Sequence, residues 1–307
     1  MTERLPDFVV AGAARAGSTA VVESLRAHPD VFVTQPKEPH YLAYGGTTPA
    51  FTGPGDDVTI NRVTVSERAE YVGLFEPAPP GAVLGEGSVS TLYRHEVALP
   101  RLRDLNPAAR VVVILRDPVD RAFSSHQYLR NRGFEPEGDF LTALEQEPAR
   151  RDAGWHHLWH YIGMSKYAAG VRQALELFGG DQVLVCWYDD LVAREQETLD
   201  RIHEFVGADS LRRPATELSR VNASGSPKRA WVQHAMHRSG RSPSLRWVVK
   251  RAVPFTVRER IRNANLTTQA ASAETRALLR PVFDDDLAAL EQMLHRPLPA
   301  AWREVAP

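Results

Sequence analysis

The sequence has 307 residues, a formal net charge of -1 and 43% hydrophobic residues, which is enough chain for one large α/β domain of ordinary globular composition. The near-zero net charge disfavours bulk nucleic-acid binding, although the stretch 226–263 holds ten Lys or Arg residues against one acid. No segment approaches the ~20 apolar residues of a membrane span, and no signal-peptide pattern opens the chain. The single cysteine, Cys186, lies in an apolar run, so we expect a buried thiol and a cytoplasmic location.

Short apolar runs alternate with amphipathic stretches along the chain. The apolar runs predict strands over 8–10, 31–33, 82–86, 111–115 and 182–188. The periodicity between them predicts helices over 19–27, 94–105, 118–130 and 166–178. Continuous apolar strands that alternate with helices are typical of α/β proteins with a doubly wound, mostly parallel sheet. We therefore predict a five-stranded sheet of this kind in a single domain, 1–307.

Two further features follow from the same pattern. Asp190 is predicted to be the N-cap of a helix after the last strand, with a buried stripe of Leu191, Leu199, Ile202 and Phe205. Three segments, 43–65, 132–163 and 224–263, lack clear periodicity; the first is rich in Gly, Pro and Thr and predicts a surface loop. We expect these segments to cover the substrate.

The first turn, "VAGAARAGSTA", follows a strand and opens a helix, which is a place to bind a phosphate group. Gly12 and Gly17 let the backbone approach a ligand, and the amides of Ala16 to Thr19, with the hydroxyls of Ser18 and Thr19, would point at it. A nucleotide triphosphatase needs a lysine after the second glycine, where this chain has Ser18. Arg15 supplies the positive charge instead. An ordinary strand-to-helix turn is the alternative.

A second anion site is predicted where "VVVILRDPVDRAFSS" leaves the fourth strand. Arg116 stands at the carboxyl end of that strand, the edge where parallel sheets bind ligands, and Ser124 lies two turns into the next helix. An arginine fork and a hydroxyl suit a separate phosphate. The alternatives are an Arg–Asp surface pair and a magnesium site on Asp117, but Asp117 before Pro118 is typical of a helix cap.

Together these motifs resemble the sulfotransferases that use 3′-phosphoadenosine 5′-phosphosulfate (PAPS), in particular the heparan-sulfate type and its bacterial relatives. The matching stretches also include "KEPHYL", "GEGSVSTLY", "GMSKYAAGVRQALELFGGDQVLVCWYDDL" and "LRPVFDDDLAALEQMLHRPLPAAW". The resemblance implies a P-loop-like turn that holds the 5′-phosphosulfate, with Arg15 where the family has lysine, and a 3′-phosphate site on Arg116 and Ser124. It also implies a late basic loop over the nucleotide, with Lys228 and Arg229 as contacts, and no metal.

The same resemblance implies the catalytic residues on the acceptor side. Glu38 matches the family's catalytic glutamate, and His40 matches a histidine that supports it in some relatives. Glu86 ends the third strand and is a second candidate for the base, ranked after Glu38. The residue after this glutamate is often lysine in heparan-type relatives but is Gly87 here, which weakens the expectation of a highly sulfated polysaccharide acceptor.

The expected reaction is sulfuryl transfer from PAPS to a hydroxyl, or less favourably an amine, of a small-molecule or carbohydrate acceptor. The alternatives are a P-loop kinase with Asp117 on magnesium, and a nucleotide-binding protein without turnover. His156 and His160 have the spacing of a helical metal pair, but an aromatic wall or simple packing explains them better. Basic residues interleaved with Trp and Val over 244–262 leave membrane-surface contact open, although Pro254 disfavours it.

Overall fold

Five parallel strands form the centre of the fold in the computed structural model, which describes residues 3–212, 226–227, 266–267 and 270–303. Their order in the sheet is β2-β3-β1-β4-β5, and every neighbouring pair is parallel. The strands are β1 (Phe8–Gly12), β2 (Val31–Val33), β3 (Val83–Glu86), β4 (Arg110–Leu115) and β5 (Val183–Trp187). The prediction of a parallel five-stranded α/β sheet is therefore confirmed.

Helices connect the strands and cover the sheet. Those between β1 and β4 are α1 (Ser18–Ala27), α2 (Tyr41–Tyr44), α3 (Arg68–Gly73), α4 (Ser90–Tyr93) and α5 (His95–Leu105). Those after β4 are α6 (Pro118–Asn131), α7 (Phe140–Glu145), α8 (Glu147–Asp152), α9 (Ala168–Phe178), α10 (Tyr188–Ala193), α11 (Glu195–Val206), α12 (Ala273–Leu279) and α13 (Asp284–Leu294). A short antiparallel pair joins β6 (Ser226–Pro227) to β7 (Leu266–Thr267). None of the helices in the described part of the chain combines the length and apolar character needed to cross a bilayer.

The apolar runs are buried because both faces of the sheet are covered. All residues of β1 and β5 are buried, as are the last five of β4. Cys186 in β5 is only 2% exposed, and burial raises the pKa of its thiol to about 11, so the predicted buried thiol is confirmed. The predicted strand limits agree with the observed ones to within two residues.

The strand order fixes where a ligand can bind. β1 is the middle strand: the chain first builds β2 and β3 on one side of it and then crosses to build β4 and β5 on the other. Doubly wound sheets bind ligands at the carboxyl edge near such a change of direction. The turn after β1 and the residue after β4, Arg116, both lie at this edge.

The predicted N-cap at Asp190 is wrong, whereas the predicted stripe is confirmed at Leu191, Leu199 and Ile202, which are all buried. Asp190 does not cap a helix; it lies inside α10, which starts directly after β5, and its carboxylate accepts hydrogen bonds from Arg194 and Arg296. The chain then breaks at Arg194 before α11, and on the predicted stripe Phe205 is only half-buried while Val206 is buried.

The segment 43–65 is more than a surface loop. It contains a π-helical turn, Asp57–Asn61, and Asp56 is fully buried. The Asp56 carboxylate accepts hydrogen bonds from the backbone N–H of Gly53 and His156 and from Trp159 Nε1, at 2.8–3.0 Å. This carboxylate therefore connects the segment to 132–163, which itself contains α7, α8 and a 3₁₀ turn, His157–Trp159.

Candidate active site

The turn between β1 and α1 has the open backbone that the sequence predicts. Arg15 (φ 69°) and Gly17 (φ 90°) are both left-handed, and α1 starts after Gly17 without a side-chain cap from the described residues. The left-handed backbone favours glycine at position 17, and a Cβ there would lie 2.8 Å from Leu191 Cδ2, so the Leu191 side chain would have to shift. The first amides of α1 are left to bind another group, and the helix dipole favours an anion there.

Arg15 supplies positive charge inside this turn. Its Nε donates to Ser124 Oγ at 3.4 Å, and its guanidinium lies 4.4 Å from the centre of the Tyr128 ring. Burial lowers the pKa of Arg15 to about 10, and the charges of Arg116, Arg121 and Arg132 contribute to the decrease. The group is still a cation at neutral pH. A phosphate bound here would relieve the repulsion among these guanidinium groups.

Arg116 leaves the end of β4 and supports the same turn. Its Nη1 donates to the backbone carbonyl of Arg15 at 3.1 Å, and its guanidinium stacks 4.8 Å from the Tyr188 ring centre. Ser124, 3% exposed on α6, lies beside Arg15. The two predicted anion sites are thus adjacent parts of one basic surface that Arg15 connects.

Asp117 has the capping role that the sequence predicts. Its carboxylate accepts a hydrogen bond from the Asp120 backbone N–H at 2.9 Å, and Arg276 lies 3.4 Å away. Pro118 follows as the first helical residue of α6. Since this carboxylate serves the helix start and an arginine, the geometry disfavours it as a magnesium ligand of a kinase.

Glu38 and its neighbours lie just after β2. Lys37 Nζ donates to Glu38 Oε1 at 2.7 Å, and His40 Nε2 is 3.9 Å from Glu38 Oε2. Burial raises the pKa of Glu38, but Lys37, His40 and the Val89 backbone N–H outweigh it and leave the pKa below its ordinary value. Glu38 is half-buried and ionised at neutral pH, as a general base must be.

Two hydroxyls fix the position of His40. Ser90 Oγ lies 2.8 Å from His40 Nδ1, and the His40 backbone N–H donates to Ser88 Oγ at 3.1 Å. Burial lowers the pKa of His40, so the ring is neutral at pH 7. A neutral ring whose Nδ1 is engaged presents Nε2 towards Glu38, which suits a supporting role.

Glu86 differs from Glu38 in its burial and in the pKa of its carboxyl group. It is fully buried, its Oε2 accepts a hydrogen bond from Ser88 Oγ at 2.6 Å, and its Oε1 has no hydrogen-bond partner among the described residues. Burial raises the pKa of Glu86 to about 8, and the charge of Glu38 contributes to the increase. At neutral pH Glu86 is therefore mostly a neutral acid, whereas Glu38 is the carboxylate, which agrees with the predicted ranking of Glu38 as base.

The stretch "WHHLWHY" forms a buried aromatic cluster behind this site. His157 Nδ1 lies 2.8 Å from Tyr44 Oη and His160 Nδ1 lies 2.7 Å from Tyr93 Oη, while the His157 ring centre is 6.0 Å from that of His40. Burial lowers the pKa of His156 to about 3 and that of His160 to about 4. In the described ranges no group of three or more His, Cys, Asp or Glu residues could hold a metal ion.

Some of the contacts could have been inferred from spacing and some could not. Tyr128 is four residues after Ser124 on α6 and so shares its face, and Tyr188 directly follows a strand at the ligand edge. Arg121, fully buried with its Nε on Ser165 Oγ, carries no sequence signal of its own. Lys228 and Arg229 lie outside the described residues, so their predicted role is untested.

A parallel α/β sheet with arginines beside a helix start that no described side chain caps, and with an ionised carboxylate nearby, is typical of group-transfer proteins that bind phosphorylated ligands. The chain belongs to the Sulfotransferase family, whose model matches residues 6–211.

Individual relatives agree with this assignment. The chain is 27% identical over 207 residues to the heparan sulfate glucosamine 3-O-sulfotransferase 3B1 of Mus musculus, covering 67% of this chain and 47% of that protein. It is 24% identical over 312 residues to the bifunctional heparan sulfate N-deacetylase/N-sulfotransferase 3 of Mus musculus, covering 98% of this chain and 32% of that protein. The chain thus spans about half the length of the first relative and about a third of the second.

A solved structure matches over the whole fold. The sulfotransferase from Alicyclobacillus acidocaldarius superposes with a TM-score of 0.75 at 26% identity and covers 98% of this chain and 100% of its own.

Proposed function

We propose that this chain transfers a sulfuryl group from PAPS to a hydroxyl of a carbohydrate or small-molecule acceptor. The observation that carries the proposal is the pairing of a basic turn without a P-loop lysine, centred on Arg15, with an ionised base, Glu38. Membership of the Sulfotransferase family supports the reaction class. The predicted cytoplasmic location and the substrate-covering role of 43–65, 132–163 and 224–263 stay predictions.

The donor carries two separate anionic groups, and the residues fit both. Arg15 and the amides of Gly17 to Thr19 would hold the 5′-phosphosulfate, because they combine a half-buried cation with a helix start that no described side chain caps. The Ala16 N–H, which the sequence also predicts as a contact, donates to the Ala13 carbonyl at 3.3 Å instead. Arg116 and Ser124 would hold the 3′-phosphate. The donor supplies the activated sulfuryl group, and the guanidinium of Arg15 would stabilise the charge that develops on the leaving phosphate oxygen.

Glu38 would remove the proton from the acceptor hydroxyl as its oxygen bonds to sulfur and the bond from sulfur to the 5′-phosphate oxygen breaks. Positioned bases of this kind contribute roughly 10²- to 10⁴-fold to rate. His40 would keep Glu38 in place. The relatives named for heparan sulfate support a carbohydrate hydroxyl, and Gly87 is the feature that argues against assuming a polysaccharide of that charge.

Binding of 3′-phosphoadenosine 5′-phosphate (PAP), ADP and 5′-AMP by calorimetry tests the donor site. We expect PAP to bind roughly tenfold or more tightly than ADP or 5′-AMP, since a charge-assisted hydrogen bond contributes about 1.5–3 kcal/mol. Arg116→Ala should remove this preference, while Arg172→Ala, at an exposed position on α9, should not. Equal affinity of the wild type for PAP and 5′-AMP would contradict the proposal.

Turnover tests the base and separates the alternatives. Mass spectrometry of a panel of hydroxyl acceptors incubated with PAPS should detect a gain of one sulfuryl group. Glu38→Gln should abolish that product with PAP binding retained, and Glu176→Gln, exposed on α9, should leave it unchanged. Phosphorylated product from ATP and Mg²⁺ would instead support a kinase, and tight donor binding without consumption would support a silent binder.

A further inference from the structure

Lys37 connects the two halves of the proposed site. Its Nζ donates to Thr19 Oγ1, in the first turn of α1, at 3.2 Å and to Glu38 Oε1 at 2.7 Å. One ammonium group therefore touches both the phosphate-binding turn and the candidate base. The two partners are 18 residues and one residue away in the sequence, so this contact depends on the fold.

The Lys37 side chain lies across the position that Gly87 leaves open. A Cβ on Gly87 would be 3.1 Å from Lys37 Cε and 2.6 Å from Val22 Cγ2, so any larger residue would press on the lysine stem and on α1. The Gly87 backbone N–H also donates to the Lys37 carbonyl at 3.0 Å. The end of β3 thus holds Lys37 by its backbone and makes room for its side chain.

These contacts differ from those of a surface ion pair. Exposed pairs leave both side chains in water and contribute little, about 0–1 kcal/mol. The Lys37 side chain is only 15% exposed and is directed inward along Gly87 to a hydroxyl on α1. The ammonium ion is therefore held between the first turn of α1 and the Glu38 carboxylate.

We propose that Lys37 Nζ binds the sulfuryl end of the donor while it pairs with Glu38, and so places the group to be transferred next to the base. This inference rests on the proposed function. Among the described residues, Thr19 takes one of the three donor directions of the ammonium group and Glu38 a second, which leaves one N–H for the ligand. In this arrangement Lys37 is a catalytic residue in addition to Arg15 and Glu38.

The inference makes a prediction that needs no knowledge of the acceptor. PAP and PAPS differ only in the sulfuryl group, so a residue that binds this group affects PAPS alone. Dissociation constants for both are measured by competitive displacement, without acceptor, for the wild type, Lys37→Met, Lys37→Arg and Lys166→Met. Lys166 is exposed and lies outside the site, which makes its variant a matched control.

We expect Lys37→Met to weaken PAPS about tenfold or more, with PAP changed less than about twofold. Unchanged PAP affinity also shows that the variant is folded. Lys37→Arg should restore part of the PAPS affinity, and Lys166→Met should alter neither constant. A PAPS-to-PAP ratio in Lys37→Met equal to that of the wild type overturns the inference but leaves the proposed function standing. A wild type that does not prefer PAP to 5′-AMP overturns the proposed function instead.

Discussion

Replacement of Glu86 by glutamine tests the assignment of one neutral and one ionised carboxyl group at this site. Glu86 is fully buried and its Oε1 has no hydrogen-bond partner in the described part of the chain. Glutamine keeps the size of the side chain and cannot titrate. The difference in free energy of unfolding between the wild type and Glu86→Gln should therefore depend on pH through the titration of Glu86.

The sign and size follow from the two pKa values. The folded-state pKa is about 8 and the ordinary value is 4.5. Because the folded-state value is raised, the stabilisation from the protonated group is fully present below pH 4.5 and is lost as the pH rises to about 8. Each pH unit between the two values corresponds to about 1.4 kcal/mol. Between about pH 5.5 and about pH 7.5 the wild type should lose about 2–3 kcal/mol relative to the glutamine variant.

Urea unfolding at several pH values between these limits measures the effect. Glu3→Gln is the matched control: Glu3 is exposed, its hydrogen bond with Arg68 lowers the pKa of its carboxyl group, and it is ionised in both the folded and the unfolded state over this range, so the difference should be flat. A flat difference for Glu86→Gln as well would show that Glu86 is ionised when folded, and would remove the reason for preferring Glu38 as the base.

Three further predictions test other parts of the structure. Gly17→Ala should weaken PAP binding and destabilise the protein by about 1–3 kcal/mol in thermal unfolding, because a left-handed residue gains a Cβ 2.8 Å from Leu191 Cδ2. Gly179→Ala is the control: this residue has φ 77° and open space around it, so its destabilisation measures the cost of the left-handed conformation alone. Arg150→Met should lower the free energy of unfolding, measured in urea, by about 3–5 kcal/mol, because it leaves Glu135 buried without the two hydrogen bonds that Arg150 donates at 2.7 and 2.8 Å. Adding Glu135→Leu to this variant should recover part of the loss. Additive effects of the two substitutions would contradict the pairing. Burial lowers the pKa of His157 well below 6.5, so the contribution of the neutral ring to stability is complete above pH 6.5 and should fall by about 1.4 kcal/mol per pH unit below it. The difference in free energy of unfolding between the wild type and His157→Gln should therefore shrink on acidification. A constant difference would mean that folding does not lower the pKa of this ring.

The strands and the ligand edge could be predicted from the sequence because both depend on local patterns. Continuous apolar runs locate β1, β4 and β5, and residues that directly follow such runs, including Arg116, must lie at the carboxyl edge. The cap at Asp117 was likewise correct because Asp-Pro at a helix start is a local signal.

The wrong predictions concern residues whose role is set by partners far away in the sequence. Gly, Pro and Thr in 43–65 indicate turns, but they carry no information on Asp56, whose partners His156 and Trp159 are about a hundred residues away. Asp190 has the chemistry of an N-cap, yet β5 runs directly into α10. Its carboxylate accepts hydrogen bonds instead from Arg194, which lies between α10 and α11, and from Arg296, which lies after α13. The propensity of a residue indicates which hydrogen bonds it can form, and its tertiary contacts determine which of them it forms.

The order of the strands in the sheet brings the parts of the site together, and no local sequence pattern predicts that order. β3 lies between β1 and β2, so the phosphate-binding turn and Glu38 are two strand spacings apart, about 10 Å at the sheet. The end of β3 lies in the gap, and a side chain after Glu86 would fill it. Glycine there leaves a path, and Lys37 crosses that path from the base to Thr19. Gly87 therefore matters for what it lets Lys37 reach, so Lys37 and Gly87 should be varied together in any attempt to move the positive charge within this site.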